Sequence, residues 1–195
     1  MSLKRKFSVS VLACALLAAI AGMALTFSAF TATTKNDDNS FKSGSVVLTD
    51  NASNSKLFDM AGMQPGSSLS KCLTVTYAGS LDSLVRLYAT TASTANKNLA
   101  PYLDVDVTRG SFPGTAPADQ ACTGFTADPG APLYAGTLAA FPADYALGVR
   151  DTTTFKKDDK AVYRVSVSLQ DTDAAQDKDA TANLTFEARD KGVTP

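Results

Sequence analysis

The chain has 195 residues, contains neither histidine nor tryptophan, and carries a formal net charge of −1. This length suits one domain with a sizeable core. The lack of histidine excludes a Ser-His-Asp triad and an H-E-x-x-H zinc site, because both need imidazole groups. Beyond Lys4–Lys6 the sequence has no basic cluster, which argues against nucleic acid as a partner.

The N-terminus has the pattern of an export signal. Lys4, Arg5 and Lys6 precede a long uncharged stretch whose apolar centre spans residues 9–25. This pattern predicts a secretory signal peptide that is removed, with a helical apolar region. An uncleaved anchor is the alternative, although the apolar centre is slightly shorter than the roughly 20 residues of a membrane span.

Small residues permit cleavage after Ala24 or after Ser28, and cleavage after Ser28 would make Ala29 the first mature residue. Removing 28 residues leaves 167, with 15 of the 18 basic and all 19 acidic residues, a formal charge of −4. We therefore expect a secreted protein that contacts the membrane only through its signal, before cleavage.

Export also determines the redox context of the cysteines. Cys14 lies in the signal, so the mature chain retains only Cys72 and Cys122. Two cysteines in an exported protein predict a disulfide, and two free buried thiols are the alternative. A bond closing a loop of this length contributes roughly 4 kcal/mol in the chain-entropy model.

After the signal, the sequence shows strand-like alternation and no helical periodicity over three turns. Gln64-Pro65-Gly66-Ser67 predicts a turn, Pro142 a helical turn, and Cys122 should pin a long loop over residues 110–132. The predicted strands cover residues 41–49, 57–60, 69–77, 84–91, 101–109, 133–138, 161–170 and 180–189.

These elements predict an all-β fold, an antiparallel β-sandwich of jelly-roll type preceded by a cleaved signal helix. The predicted organisation is a signal peptide over residues 1–28, a mobile leader or donor strand over 29–40, and the sandwich over 41–195.

Carboxylates are the remaining candidate metal ligands. Asp171, Asp173, Asp177 and Asp179 crowd one loop, where oxygen ligands for calcium are conceivable. The glycine turn and terminal glutamate of an EF-hand are missing, so solvated loop charges are the favoured interpretation. We predict no catalytic residue, no metal ligand and no cofactor.

Several short motifs follow one another in a characteristic order. Ser28-Ala29-Phe30 is followed by Phe41-x-x-Gly44-x-Val46-x-Leu48, and then by Met63-Gln64-Pro65-Gly66. Further along are Gly79-Ser80-Leu81 and Val85-Arg86-Leu87. With these motifs behind a signal, the chain resembles the TasA/camelysin family of exported bacterial proteins, most densely over residues 20–90.

The resemblance implies a jelly-roll fold, processing by a dedicated signal peptidase after Ser28, and assembly into extracellular fibres of a biofilm matrix. Camelysin-like members are described as metalloendopeptidases. This chain departs from that activity because it has no histidine. A carboxylate-based metallopeptidase and a monomeric adhesion module on the same sandwich are the alternatives to a non-enzymatic structural protein.

The first mature residues suggest how fibres would form. They alternate and are β-prone, so they are suited to adding a strand to the next subunit. The predicted partner is therefore a second copy of the chain, with other matrix or cell-surface proteins as further candidates; a frayed terminus is the alternative. The predicted assembly segment consists of Ala29, Phe30, Thr31, Ala32, Thr33 and Thr34.

Overall fold

A computed structural model of the chain describes residues 31–35, 48–51, 57–58 and 62–192. The predicted signal, its cleavage residues Ser28 and Ala29, and Phe30 lie outside the described residues, as do residues 41–47 of the first predicted strand. The described ranges contain ten strands, which are β1 Thr31–Lys35, β2 Leu48–Asp50, β3 Ser68–Tyr77, β4 Ser83–Ala92, β5 Leu103–Ser111, β6 Thr126–Ala127, β7 Tyr134–Thr137, β8 Val149–Phe155, β9 Lys160–Leu169 and β10 Thr181–Asp190.

The strands form two antiparallel sheets. Sheet A has the order β1-β10-β4-β8, and sheet B has the order β2-β3-β9-β5-β6, with β7 also paired to β5. The long strands β3, β4, β5, β8, β9 and β10 alternate between the sheets in chain order, as in a jelly roll. The predicted all-β antiparallel sandwich is therefore confirmed. Three short 3-10 helices connect strands at Ala100–Tyr102, Leu138–Ala140 and Asp173–Ala175.

The core lies between the two sheets and follows the alternation of the strands. Each inward-facing aliphatic or aromatic side chain contributes about 1.5–3 kcal/mol when fully buried. Tyr77 and Phe155 meet edge to face, with ring centroids 6.5 Å apart. The buried inward residues of the six long strands are Leu73, Val75, Tyr77, Val85, Leu87, Ala89, Leu103, Val105, Val107, Val149, Phe155, Ala161, Tyr163, Val165, Leu169, Phe186 and Ala188.

Local details depart from the sequence-based expectations in several places. The structure has two strands, β6 and β8, where none was predicted, and β6 lies within the predicted long loop. The helical turn lies at Leu138–Ala140 rather than after Pro142, and Leu57 and Phe58 are not in a strand. The predicted turn is confirmed: the Ser67 amide donates to the Gln64 carbonyl at 2.9 Å, and Gly66 has a φ of +77°.

Candidate assembly site at the β1 edge of sheet A

Strand β10 carries different neighbours on its two sides. On one side it pairs with β4 over its whole length, from Thr181 opposite Ala92 to Asp190 opposite Ser83. On the other side β1 covers only Thr185–Arg189. Of the strands that the structure describes, none pairs with residues 181–184 on that side. This edge of sheet A is therefore built by the first described residues of the chain.

Most of the predicted assembly segment lies in this edge strand. Thr31, Ala32, Thr33 and Thr34 belong to β1, which ends at Lys35. Their partners are residues of the same chain, in an unbroken antiparallel register with β10. The structure thus brings the segment to a sheet edge, and its pairing with a second copy stays a prediction.

A buried carboxylate lies next to this edge. Glu187, opposite Thr33 in the register, is only 3% exposed and lies on the outer face of sheet A. The Tyr88 hydroxyl donates to Glu187 Oε2 at 2.8 Å, and Arg189 Nε contacts Oε1 at 2.8 Å. Burial and the neighbouring carboxylate raise the pKa of Tyr88 to about 12. Each carboxylate oxygen of Glu187 therefore has a partner, which allows this charged group to be buried on the face beside β1.

The segment between β7 and β8 folds over the same face. Arg86 Nη1 donates to the Tyr145 carbonyl at 2.9 Å and also to the Ala146 carbonyl. The guanidinium carbons of Arg86 and Arg189 lie 4.8 and 3.9 Å from the centre of the Tyr145 ring. These cation–π contacts cover the pair of Arg189 and Glu187 and help to exclude water from it. Burial raises the pKa of Tyr145 as well.

A second buried carboxylate lies between the sheets. Asp151 on β8 accepts from the Tyr163 hydroxyl at 2.6 Å, the Thr153 amide at 2.8 Å and Arg109 Nη1 at 3.2 Å. Burial and the nearby Asp151 hold the pKa of Tyr163 well above its usual value. The adjacent cavity measures about 10 Å³, enough for roughly one water molecule, so it is not a substrate pocket.

On the opposite face of the molecule, Cys72 and Cys122 form a disulfide with a Cα–Cα distance of 5.2 Å. The predicted pairing is thus present, and it pins the predicted long loop. The Cys72 amide donates to the Gln120 carbonyl at 2.9 Å, which attaches the loop to β3. Within the loop, Phe125 stacks under the Arg164 guanidinium at 5.1 Å. The loop therefore covers part of the outer face of sheet B.

The described residues contain no group of three or more Cys, Asp or Glu side chains placed to hold a metal. In the acidic loop, Asp179 accepts from the Thr94 amide at 2.8 Å, which is a structural role. No helix within the described ranges is long and apolar enough to cross a membrane.

Neither buried carboxylate was predicted from the sequence. Simple alternation places Glu187 on the solvent side of β10, and only the covering segment and the edge strand make that side an interior. One feature of the sequence distinguishes Glu187 from the other acidic residues: it is the single glutamate in a chain whose other acidic residues are all aspartate. Asp151 was missed together with its strand.

Comparison with known proteins places these features in a family. No curated protein matches the chain. The family model described as camelysin metallo-endopeptidase matches residues 2–100, about half of the chain, which includes β1 to β4. The chain therefore belongs to the TasA/camelysin family.

Proposed function

We propose that this protein is an exported structural subunit that assembles into extracellular or matrix fibres by donating its N-terminal strand. Membership of a family of exported proteins supports an extracellular or surface location. The predicted signal peptide supports the same location. A non-enzymatic role is consistent with a chain that lacks histidine, the commonest general base and zinc ligand.

The observation that carries the proposal is the pairing of β1 with β10 at the edge of sheet A. The register needs only five residues, which begin two positions after the predicted mature start at Ala29. The β1 of a neighbouring copy would satisfy the same backbone groups of β10. Because the contact joins two different surfaces, it propagates along a filament instead of closing a dimer.

Exchange of β1 between chains conserves the number of backbone hydrogen bonds. Each backbone hydrogen bond of β1 that is lost within the chain is regained between chains, so its net contribution of about 0.5–1.5 kcal/mol cancels. Twelve residues separate Lys35 from Leu48, and an extended segment of that length spans about 40 Å. The sequence therefore provides enough chain for β1 to reach a neighbour.

A disulfide trap tests the proposal directly. Lys35 and Thr185 are opposite each other in the register, so Lys35→Cys/Thr185→Cys creates a pair within bonding reach. Oxidation before assembly should lock β1 onto its own chain and prevent fibres. Oxidation after assembly should join neighbouring subunits and give a ladder of covalent multimers on a non-reducing gel.

The single variant Lys35→Cys and the wild type, treated identically, are the matched controls. Fibres that yield only monomer bands after oxidation would contradict strand donation. Deletion of residues 29–34 should also abolish fibres in electron micrographs. A correctly processed wild type that stays monomeric under all conditions would favour the monomeric adhesion module instead.

The name of the family supports a second candidate, a metalloendopeptidase. With no histidine in the chain, such an enzyme would have to hold its metal with carboxylates. Metal content of the purified mature protein, together with hydrolysis of casein, separates this candidate from the structural role. Stoichiometric zinc with chelator-sensitive cleavage would establish the peptidase.

A further inference from the structure

Among the strands that the structure describes, β8 forms the second edge of sheet A, and its pairing with β4 is irregular. Thr154 is opposite Leu84 and Arg150 is opposite Arg86, so three β8 residues face the single β4 residue Val85. This is a β-bulge of residues 151–153. A bulge bends an edge strand and interrupts the regular spacing of its backbone groups, which hinders pairing with an added strand.

The bulge contains an inward-facing charge that holds it in place. Asp151 is 3% exposed, and its carboxylate accepts from the amide of Thr153, two residues along the same strand. A backbone donor of β8 is thus engaged by the strand's own side chain. Tyr163 and Arg109, both on sheet B, bind the same carboxylate.

Arg109 reaches across to this edge from sheet B. Besides Asp151, its Nη1 contacts the Thr153 hydroxyl, and its Nε lies 3.6 Å from Asp128 after β6. On the outer side of the strand, Arg150 is exposed and places a positive charge at the edge. A bulge, an inward-facing charge and an exposed charge are all features that protect natural edge strands from pairing.

The β1 edge has none of this irregularity in its described backbone. Its five residues pair with β10 at consecutive positions without a register shift. The two edges of one sheet therefore differ, since the β10 side accepts a regular strand and the β8 side is bulged.

We propose that the Asp151-centred bulge closes the β8 edge to strand addition, so that sheet A extends only by a second copy of this chain at β10. The inference rests on the proposed function for the identity of the added strand. It adds that assembly through sheet A is one-sided, which gives unbranched filaments.

Strand-binding stoichiometry tests the proposal. The receptor is the mature chain without residues 29–35, and the probe is a labelled peptide AFTATTK with the sequence of residues 29–35. The straightened variant combines Asp151→Val with deletion of Thr152 and Thr153, which restores a regular ladder and keeps Val149 and Phe155 facing the core. We call the receptor with the natural β8 sequence the parent. Native mass spectrometry should detect one bound peptide per parent chain, at β10, and two per straightened chain, at β10 and β8.

The counts distinguish this inference from the proposed function. Two peptides on the parent, or equal numbers on the two proteins, would overturn closure of the β8 edge. No peptide on the parent and one on the straightened chain would support closure and refute donation to β10. Thr152→Ala, at an exposed bulge position, is the matched control and should bind as the parent does.

A second readout covers the case in which the straightened variant does not fold. A photoreactive group at the peptide position of Thr33 should label β10 in the parent. Labelling of residues 149–155 would overturn the proposal, and its absence at saturating peptide would support it.

Discussion

Glu187 shows how a single residue acquires an interior environment on the outer face of a sheet. Its carboxylate is satisfied by Tyr88 and Arg189, and the ring of Tyr145 lies against that arginine. A buried carboxylate is costly unless it is paired and hydrogen-bonded. The cluster therefore holds the outer face of β10 in one arrangement beside the strand that we expect to be exchanged.

Tyr88 gives this cluster a signature at alkaline pH. Its pKa is raised from 10.0 to about 12 in the folded chain, so above pH 10 the unfolded chain releases the proton first. Stability should therefore be unaffected by this group below pH 10 and should fall between pH 10 and 12. Because Tyr88 is partly exposed and its interactions are screened by solvent, we expect a loss on the order of 1–2 kcal/mol. The measurement is urea unfolding of the wild type and Tyr88→Phe across this range.

Tyr88→Phe should lose less stability than the wild type over that interval, because phenylalanine has no proton to release. Tyr163→Phe serves as a comparison, since the pKa of Tyr163 is also raised, but by its burial and by a separate carboxylate, Asp151. Parallel pH profiles for the wild type and Tyr88→Phe would contradict the role assigned to the Glu187 contact.

At the scale of elements, the proposed assembly depends on the backbone amides of β1. In an antiparallel ladder, successive amides point to opposite sides, so one of Thr33 and Thr34 donates to β10 and the other points away. Proline removes the amide proton. Of Thr33→Pro and Thr34→Pro, one should therefore abolish fibres and the other should retain a substantial fraction of them.

Fibre yield by sedimentation and electron microscopy measures this difference. Thr33→Ala and Thr34→Ala keep the amides and should assemble like the wild type. Equal loss with both prolines would mean that the strand is paired on both sides in the fibre, and no loss with either would exclude backbone pairing of this segment.

The sequence predicted the strands whose burial follows a simple alternation. In β4 and β5 the apolar residues at alternate positions, such as Val85, Leu87 and Val105, are buried between the sheets. Strand β8 was not predicted because an aspartate occupies one of its inward positions and its threonines give no hydrophobic alternation. The chain after Pro142 is not helical, and it forms a turn in which the Gly148 amide donates to the Tyr145 carbonyl.

The candidate site was predictable only in part. The position of the segment behind the signal and its β-prone composition predicted a mobile leader that can add as a strand to another subunit. Its partner, β10, was not predictable, because the pairing joins residues 150 to 158 positions apart. No local pattern encodes such a contact, and it depends on how the whole sandwich closes.

At the scale of the whole molecule, the disulfide stabilises sheet B and leaves the assembly edge unconstrained. Cys72→Ser/Cys122→Ser removes a link that spans 50 residues, and the chain-entropy model predicts a loss of roughly 4 kcal/mol. Denaturant unfolding should show a lower midpoint for the double variant. We expect the double variant to form fibres at denaturant concentrations below that midpoint, because the disulfide joins residues outside sheet A, which contains β1 and β10.

Reduced wild-type protein should unfold at the same denaturant concentration as the double variant. A shift below 1 kcal/mol would show that packing of the 110–132 loop, rather than the covalent link, restrains the chain. Loss of fibres in a variant that remains folded would show that the two sheets are coupled during assembly.

The placement of β1 and β10 also has a mechanical consequence. In a fibre joined by this pair, a pulling force along the strands would load their hydrogen bonds together, in shear, rather than opening them one at a time. The covalent link at Cys72 and Cys122 lies in the other sheet and would carry little of that load. The tensile strength of the filament would then be set by the number of residues that β1 pairs, so lengthening this strand should toughen the fibre more than adding crosslinks within a subunit.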